Sequence, residues 1–136
     1  MAKTILIIED EKYLSDMYRL KFEHCGFKVM TAGNGQEGLE AARKNKPDLI
    51  LLDLIMPVMN GYEVLRELRQ DKELKDLKVY IWSNLSQASE IKKGLLAGAD
   101  GYFVKTNMTP GQLVRKVEEL LREKRAKDVP GKKIKK

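Results

Sequence analysis

The feature that most constrains this chain is a recurrence. Short apolar runs, most of them ending at a polar residue, are separated by segments whose apolar residues return at helical spacing. Thr4–Ile8 runs into Glu9, Asp10 and Glu11. Phe27–Ala32, Asp48–Leu52, Lys78–Trp82 and Tyr102–Val104 are the later runs. The third ends at Asp53, the fourth at Ser83 and the fifth at Lys105. Runs this short, apolar on consecutive rather than alternate positions, read as strands buried on both faces.

The intervening segments carry helix punctuation. Leu14, Met17, Tyr18, Phe22 and Cys25 line one face before Gly26, a C-cap residue. Asn34 and Glu37 have the spacing of a capping box opening a helix to about Lys44, which Pro47 ends. Asn60 and Glu63 repeat that spacing ahead of Val64, Leu65 and Leu68. Ser86–Leu96 reads as a helix capped at Gly98. Thr109, Pro110 and Gln112 open a last helix, with Leu113, Val114, Val117, Leu120 and Leu121 on its apolar face. Five strand–helix units in succession predict an α/β fold, a parallel sheet with helices on both faces.

Composition fits one domain of this kind. The chain has 136 residues, 43% hydrophobic and 34% charged, enough for an unaided core. The formal charge is +6, of which residues 126–136 hold +4. The expected organisation is a near-neutral domain over 1–125 and a basic, disordered tail over 126–136. That distribution weakens any general nucleic-acid reading and leaves only weak polyanion binding through the tail. The single cysteine, Cys25, excludes an internal disulfide framework and fits a reducing compartment. No apolar run approaches the roughly 20 residues of a membrane span, and no signal-peptide pattern opens the chain. A cytoplasmic protein is the expectation. No second apolar core marks an output domain, although the tail could be the start of a linker to one.

Ligands of open α/β sheets bind beyond the carboxyl ends of the strands. Glu9, Asp10, Asp53, Ser83 and Lys105 fall at those ends. Two like charges about 4 Å apart repel by about 4 kcal/mol at an effective dielectric of 20. Clustered carboxylates must therefore protonate, pair with a cation or bind a metal. Hard oxygens suit Mg²⁺, which takes one or two carboxylates and keeps several waters. A remaining carboxylate beside an ammonium and a hydroxyl is a plausible phosphoryl acceptor. Taken singly, each acid reads as a solvated loop residue; as a set at one sheet edge they read as a site.

The stretches 7–11 (IIEDE), 51–61 (LLDLIMPVMNG), 81–83 (IWS) and 98–105 (GADGYFVK) together resemble the receiver domain of two-component response regulators, especially the stand-alone chemotaxis type. The resemblance covers about Lys3 to Lys124 and implies a flavodoxin-like (βα)5 three-layer sandwich with strand order 2-1-3-4-5. It implies that Asp53 is the phosphoacceptor. Glu9, Asp10, Asp53 and the Ile55 backbone carbonyl would hold Mg²⁺ or Mn²⁺. Lys105 would pair with the phosphoryl group, Ser83 would move to hydrogen-bond it, and Tyr102 would be the aromatic switch. The implied donor is a histidine kinase or a His-phosphotransfer protein. The implied output is a face of helix 4, strand 5 and helix 5 that binds an unknown downstream protein. Such a chain is a signalling protein rather than an enzyme, catalysing only its own phosphorylation and slow dephosphorylation.

Three positions depart from the family. Thr106 follows Lys105 where proline is usual, which makes a trans bond and a differently seated Lys105 loop the expectation. Asn84 follows Ser83 where a small residue is usual. Ile55 and Leu85 border the path of the hydrolytic water and are both apolar, which predicts slow self-dephosphorylation. Two other functions compete. One is a receiver fold used as a phosphorylation-independent scaffold. The other is a dinucleotide-binding domain, since Gly33, Gly35 and Gly38 form a G-x-G-x-x-G with Asp53 20 residues after Gly33. No substrate domain follows, and the other carboxylates account better for Asp53. Among single residues, His24 reads as offsetting a helix dipole, Cys25 as a small apolar packer, and Tyr13, Tyr18, Tyr62 and Tyr80 as packing residues. Trp82 reads as core or site edge.

Overall fold

A computed structural model of the chain describes residues 2–127. The elements alternate as expected: β1 (Thr4–Ile8), α1 (Lys12–His24), β2 (Lys28–Ala32), α2 (Gly35–Asn45), β3 (Leu49–Leu52), α3 (Gly61–Gln70), β4 (Val79–Ser83), α4 (Ala88–Leu96), β5 (Gly101–Val104) and α5 (Pro110–Lys127). A 3-10 turn over Lys105–Asn107 joins β5 to α5. All strand pairs are parallel, in the order β2-β1-β3-β4-β5. This is the flavodoxin-like sandwich.

Consecutive apolar residues serve two cores because successive side chains leave a strand on opposite faces. Leu6, Ile8, Ile50, Leu52 and Ile81 pack under Leu39 and Ala42 of α2 and Val64, Leu65 and Leu68 of α3. Ile5, Ile7, Leu49, Leu51 and Trp82 pack under Tyr18 and Phe22 of α1 and Leu113, Val114, Val117 and Leu121 of α5. Trp82 is a core residue, buried and edge-on to Tyr18 with ring centroids 5.2 Å apart. The outer strands are only half-buried: every residue of β5 is intermediate, and β2 carries exposed Lys28 and Thr31.

The capping chemistry holds with one shift. Asn60 and Glu63 form a complete capping box. Thr109 and Gln112 bond reciprocally, each backbone N–H donating to the other's side chain. Asn34 accepts from the Glu37 N–H, but the Glu37 carboxylate accepts from Gly33 N–H rather than from Asn34. Several boundaries move. α4 starts at Ala88, two residues after the expected Ser86, behind a Gln87 cap with no side-chain bond. Ser83 is the last residue of β4, paired with Val104, rather than the first beyond it. Cys25 is exposed at the α1 C-cap, not packed inside, because the chain turns away there through Gly26 at φ 95°. α5 continues through Ala126 and Lys127, both strong helix formers; the rest of the basic tail lies outside the described residues. Among the described residues no helix is long and apolar enough to cross a membrane.

Two of the three glycines of the G-x-G-x-x-G are occupied by packing. A Cβ at Gly35 would lie 2.6 Å from the Met59 carbonyl oxygen, and one at Gly38 would lie 2.5 Å from Ile8 Cδ1. Their strand, β2, is the sheet edge, so the start of α2 lies away from the point where the strand order reverses.

Arg69 fastens two loops from the end of α3, the α3–β4 and the α4–β5 connections. Its guanidinium donates to the carbonyls of Lys75, Leu77 and Gly98 and to Asp100, whose carboxylate also accepts from Val79 N–H. Carbonyls that lose a charged donor are costly to leave unmet. Arg69→Met is expected to lower the unfolding free energy by about 2 kcal/mol in a urea titration. Arg19→Met, which loses only surface pairs with Asp16 and Glu23, is expected to change it by less than about 1 kcal/mol.

Candidate functional site

The order of the sheet makes the site. The chain leaves β1 toward β2 on one side, then returns to place β3 on the other. The carboxyl ends of β1 and β3 are thus neighbours at the switch point where ligands of such sheets bind. Glu9 continues β1, its N–H donating to the Ala32 carbonyl, and Asp53 continues β3, its N–H donating to the Ile8 carbonyl. Both residues are buried, at 3% and 7% exposure, while Asp10 is exposed. One carboxylate oxygen from each of Glu9, Asp10 and Asp53 lies within 4.8 Å of the others.

Lys105 arrives from the end of β5. Its ammonium donates to Glu9 Oε1 and stands 3.6 Å from Asp53 Oδ2. The other Glu9 oxygen accepts from Glu11 N–H at 3.0 Å, so both oxygens of this buried carboxylate are held. The Lys105–Thr106 bond is trans, as expected without proline, and the 3-10 turn begins at Lys105 itself. The ammonium reaches both acids from that seat.

Burial pushes the Asp53 carboxyl up to about 6; the Lys105 ammonium opposes that rise, the Glu9 charge adds to it, and the backbone amides of Ile55 and Leu54 partly offset it. Ile55, whose backbone amide meets the Asp53 carboxylate, is 64% exposed.

Ser83 and Tyr102 are not turned toward Asp53 through any direct hydrogen bond among the described residues. Ser83 Oγ accepts from Leu85 N–H at 3.1 Å, and Tyr102 Oη donates to the Leu85 carbonyl at 2.6 Å. The Tyr102 hydroxyl also lies beside the Ser83 hydroxyl. The two residues are therefore joined through the backbone of Leu85. Asn84 is exposed.

One residue essential to this geometry escaped the sequence reading. Gly61 was legible as part of a capping box, but a Cβ there would lie 2.4 Å from the Asp53 carbonyl oxygen. Its N–H donates to the Leu54 carbonyl at 2.9 Å, pinching together the base of the loop that follows Asp53. At the tip of that loop Val58 has φ 70°, and Met59 N–H donates to the Pro57 carbonyl at 2.7 Å. That is a γ-turn of the strained, positive-φ kind. The Asn-Gly pair at 60–61 was the available signal for a close backbone approach.

The donor set fits a hard divalent cation: carboxylate oxygens converge, and exposed Asp10 leaves a wet side.

Comparison with known proteins gives a consistent picture. The family model for the response regulator receiver domain matches residues 5–118. The phosphate regulon transcriptional regulatory protein PhoB of Rhizobium meliloti is 38% identical over 122 residues, covering 90% of this chain and 53% of the relative. The DNA-binding response regulator MtrA of Mycobacterium leprae is 34% identical over 122 residues, covering 90% and 52%. The chain spans about half the length of the curated relatives it matches. Among solved structures, the Francisella response regulator 1452 receiver domain aligns with TM-score 0.81 and 28% identity, over 90% of this chain and 98% of that one. The Vibrio cholerae chemotaxis protein CheY4 aligns with TM-score 0.81 and 26% identity, over 88% and 98%.

The raised Asp53 carboxyl has a consequence for stability. The ordinary value is 3.8 and the folded value about 6, so the native state holds this proton more tightly than the unfolded chain. The resulting stability is fully present below the ordinary value and is lost as pH rises through about 6. At neutral pH without divalent cations, the ionised Asp53 therefore costs stability. In EDTA, Asp53→Asn is expected to be more stable than wild type by about 1–3 kcal/mol at pH 7.5. Thermal melts across pH are expected to show that gain vanishing below about pH 4.

Proposed function

The chain belongs to the response regulator receiver domain family, and on that premise we propose that Asp53 accepts a phosphoryl group from the phosphohistidine of a kinase or phosphotransfer protein. The convergence of Glu9, Asp10 and Asp53 oxygens within 4.8 Å, with Lys105 Nζ 3.6 Å from Asp53, carries this reading. In the transfer, an Asp53 carboxylate oxygen forms the new bond to phosphorus as the phosphorus–nitrogen bond of the donor imidazole breaks. The imidazole leaves with the bonding pair and takes up a proton.

Each residue has a physical task. Asp53 must be ionised to attack, and Lys105 favours that form against the pull of burial. Glu9, held by Glu11 N–H, orients the ammonium. Asp10, Asp53 and the Ile55 carbonyl, with Glu9 beside them, would hold Mg²⁺ or Mn²⁺, which when bound neutralises charge on the phosphoryl oxygens. Once Asp53 is modified, Lys105 pairs with the phosphoryl group, and Ser83 Oγ turns to it from Leu85 N–H. That frees the loop carbonyl–hydroxyl link at Tyr102, and the face formed by α4, β5 and α5 changes its affinity for a downstream protein.

Incubation with acetyl phosphate and Mg²⁺, followed by intact mass measurement, is expected to show one phosphoryl adduct on wild type and none on Asp53→Asn. An unmodified wild type, or an adduct that survives Asp53→Asn, would remove the central claim; an unmodified wild type would leave a scaffold role.

The lifetime follows from the mouth of the site. Ile55 is exposed there and Leu85 is half-buried, and neither side chain can orient a water. Decay of the adduct is expected to be slow. Ile55→Asn or Leu85→Glu should speed it by roughly the tenfold or more that a positioned polar group supplies, measured as loss of the adduct after removal of acetyl phosphate. Rapid decay of wild type that neither substitution alters would contradict this.

A further inference from the structure

Helix α4 is lightly held. Gly94 is its buried residue, seated against Ile81 and the Tyr102 ring. Its start lacks a side-chain cap, and Leu95 and Leu96 are 45% and 78% exposed. Its flanks are tied elsewhere, through Leu85 to Ser83 and Tyr102 and through Gly98 to Arg69. Between those ends, one cluster ties the body of the helix to α3. Tyr62 Oη donates to Glu90 Oε1 at 2.8 Å, and Lys93 Nζ lies 4.5 Å above the centroid of the same tyrosine ring. Glu90 and Lys93 are one helical turn apart, so α4 grips a single aromatic ring of α3 by its hydroxyl and its face. Burial and the Glu90 charge push the Tyr62 hydroxyl well above its ordinary value, so it stays a donor across the working pH range. Burial, and to a lesser extent the Glu90 charge, also disfavour ionisation of the Tyr102 hydroxyl.

We infer that Tyr62, Glu90 and Lys93 form a clasp that holds α4 against α3 in the resting state and thereby sets how far α4 responds to Asp53. The second half of that statement rests on the phosphoacceptor reading. The physical basis is that a helix with one buried residue has little packing energy of its own, so polar contacts of ordinary strength dominate its local opening. A hydrogen bond to a charged acceptor and a cation over a ring face are contacts of that kind. Both converge on Tyr62, whose residue type is set outside α4. The adjoining cleft, about 360 Å³, is lined by Tyr62, Arg66, Arg69, Gln70, Lys93 and Ala97. Its Arg69 and Lys93 are already partnered, which argues for an internal fastening rather than an anion site.

Hydrogen exchange of the full chain tests the clasp. Tyr62→Phe removes the hydroxyl, keeps the ring and leaves the α4 sequence untouched. In resting protein its amides over 88–96 are expected to exchange roughly three- to tenfold faster than wild type, the range expected for one lost side-chain bond. Amides of β1 and β3 should be unchanged, which separates this effect from general unfolding. Glu90→Gln should act in the same direction. The double variant should show less than the product of the two single effects, because Glu90→Gln weakens the same contact that Tyr62→Phe removes. After acetyl phosphate and Mg²⁺, the change in α4 exchange should be smaller in Tyr62→Phe than in wild type. An α4 exchange rate unmoved by Tyr62→Phe, or a phosphorylation-induced change as large as that of wild type, would overturn the proposal. Failure of wild type to take up phosphate would instead remove the function reading, and the resting-state comparison would still judge the clasp.

Discussion

Two carboxylates buried side by side are tolerable in this protein because one ammonium serves both. Glu9 and Asp53 end adjacent central strands, and Lys105 bonds the first and stands 3.6 Å from the second. Without that cation their repulsion and desolvation would force one to take a proton. The compensation is incomplete, since Asp53 remains pushed up to about 6. The rest of the architecture can be understood as what brings that ammonium to that place. β4 spaces β5 one strand away from β3, and the turn after β5 begins at Lys105 itself, so the long side chain reaches back across the sheet end.

The rigidity of the site and the looseness of its surroundings have a common origin. β1 and β3 are covered on both faces and buried along nearly their whole length, so their carboxyl ends are fixed. β5 is half-buried and α4 buries one residue. The residues that would read a change at Asp53 are thus anchored on the weaker side of the sheet. Ser83 and Tyr102 meet there through both backbone groups of Leu85, a link that one new acceptor for Ser83 would disturb. The acidic cluster sits where packing is strongest, and Ser83, Tyr102 and α4 sit where polar contacts decide.

Much of the fold was legible because its signals are local. Consecutive apolar residues in β1 and β3, the Asn60–Glu63 box and the Thr109–Gln112 box each depend on a few neighbouring residues, and each appears in the structure. Reading failed where local pattern and tertiary contact diverge. Cys25 continued an apolar stripe yet sits exposed where the chain turns away at Gly26. Gly61 carried a turn signature, while its larger constraint is the Asp53 backbone pressed against it. Tyr62 reads as a packing residue and Arg69 carries no signal of its own, since each has a partner about 30 positions away.

The sequence by itself determined the alternation of strands and helices, their caps, and the placing of Glu9, Asp10, Asp53, Ser83 and Lys105 at strand ends; the strand order came only through resemblance to a family. Tertiary structure alone decided that Lys105 serves Glu9 more closely than Asp53, that Ser83 and Tyr102 face Leu85 at rest, and that α4 is fastened through Tyr62. The division has a physical reason. Periodicity and capping are settled within a few residues of backbone geometry, whereas the partner of a long polar side chain is settled by which distant elements packing happens to bring within its reach.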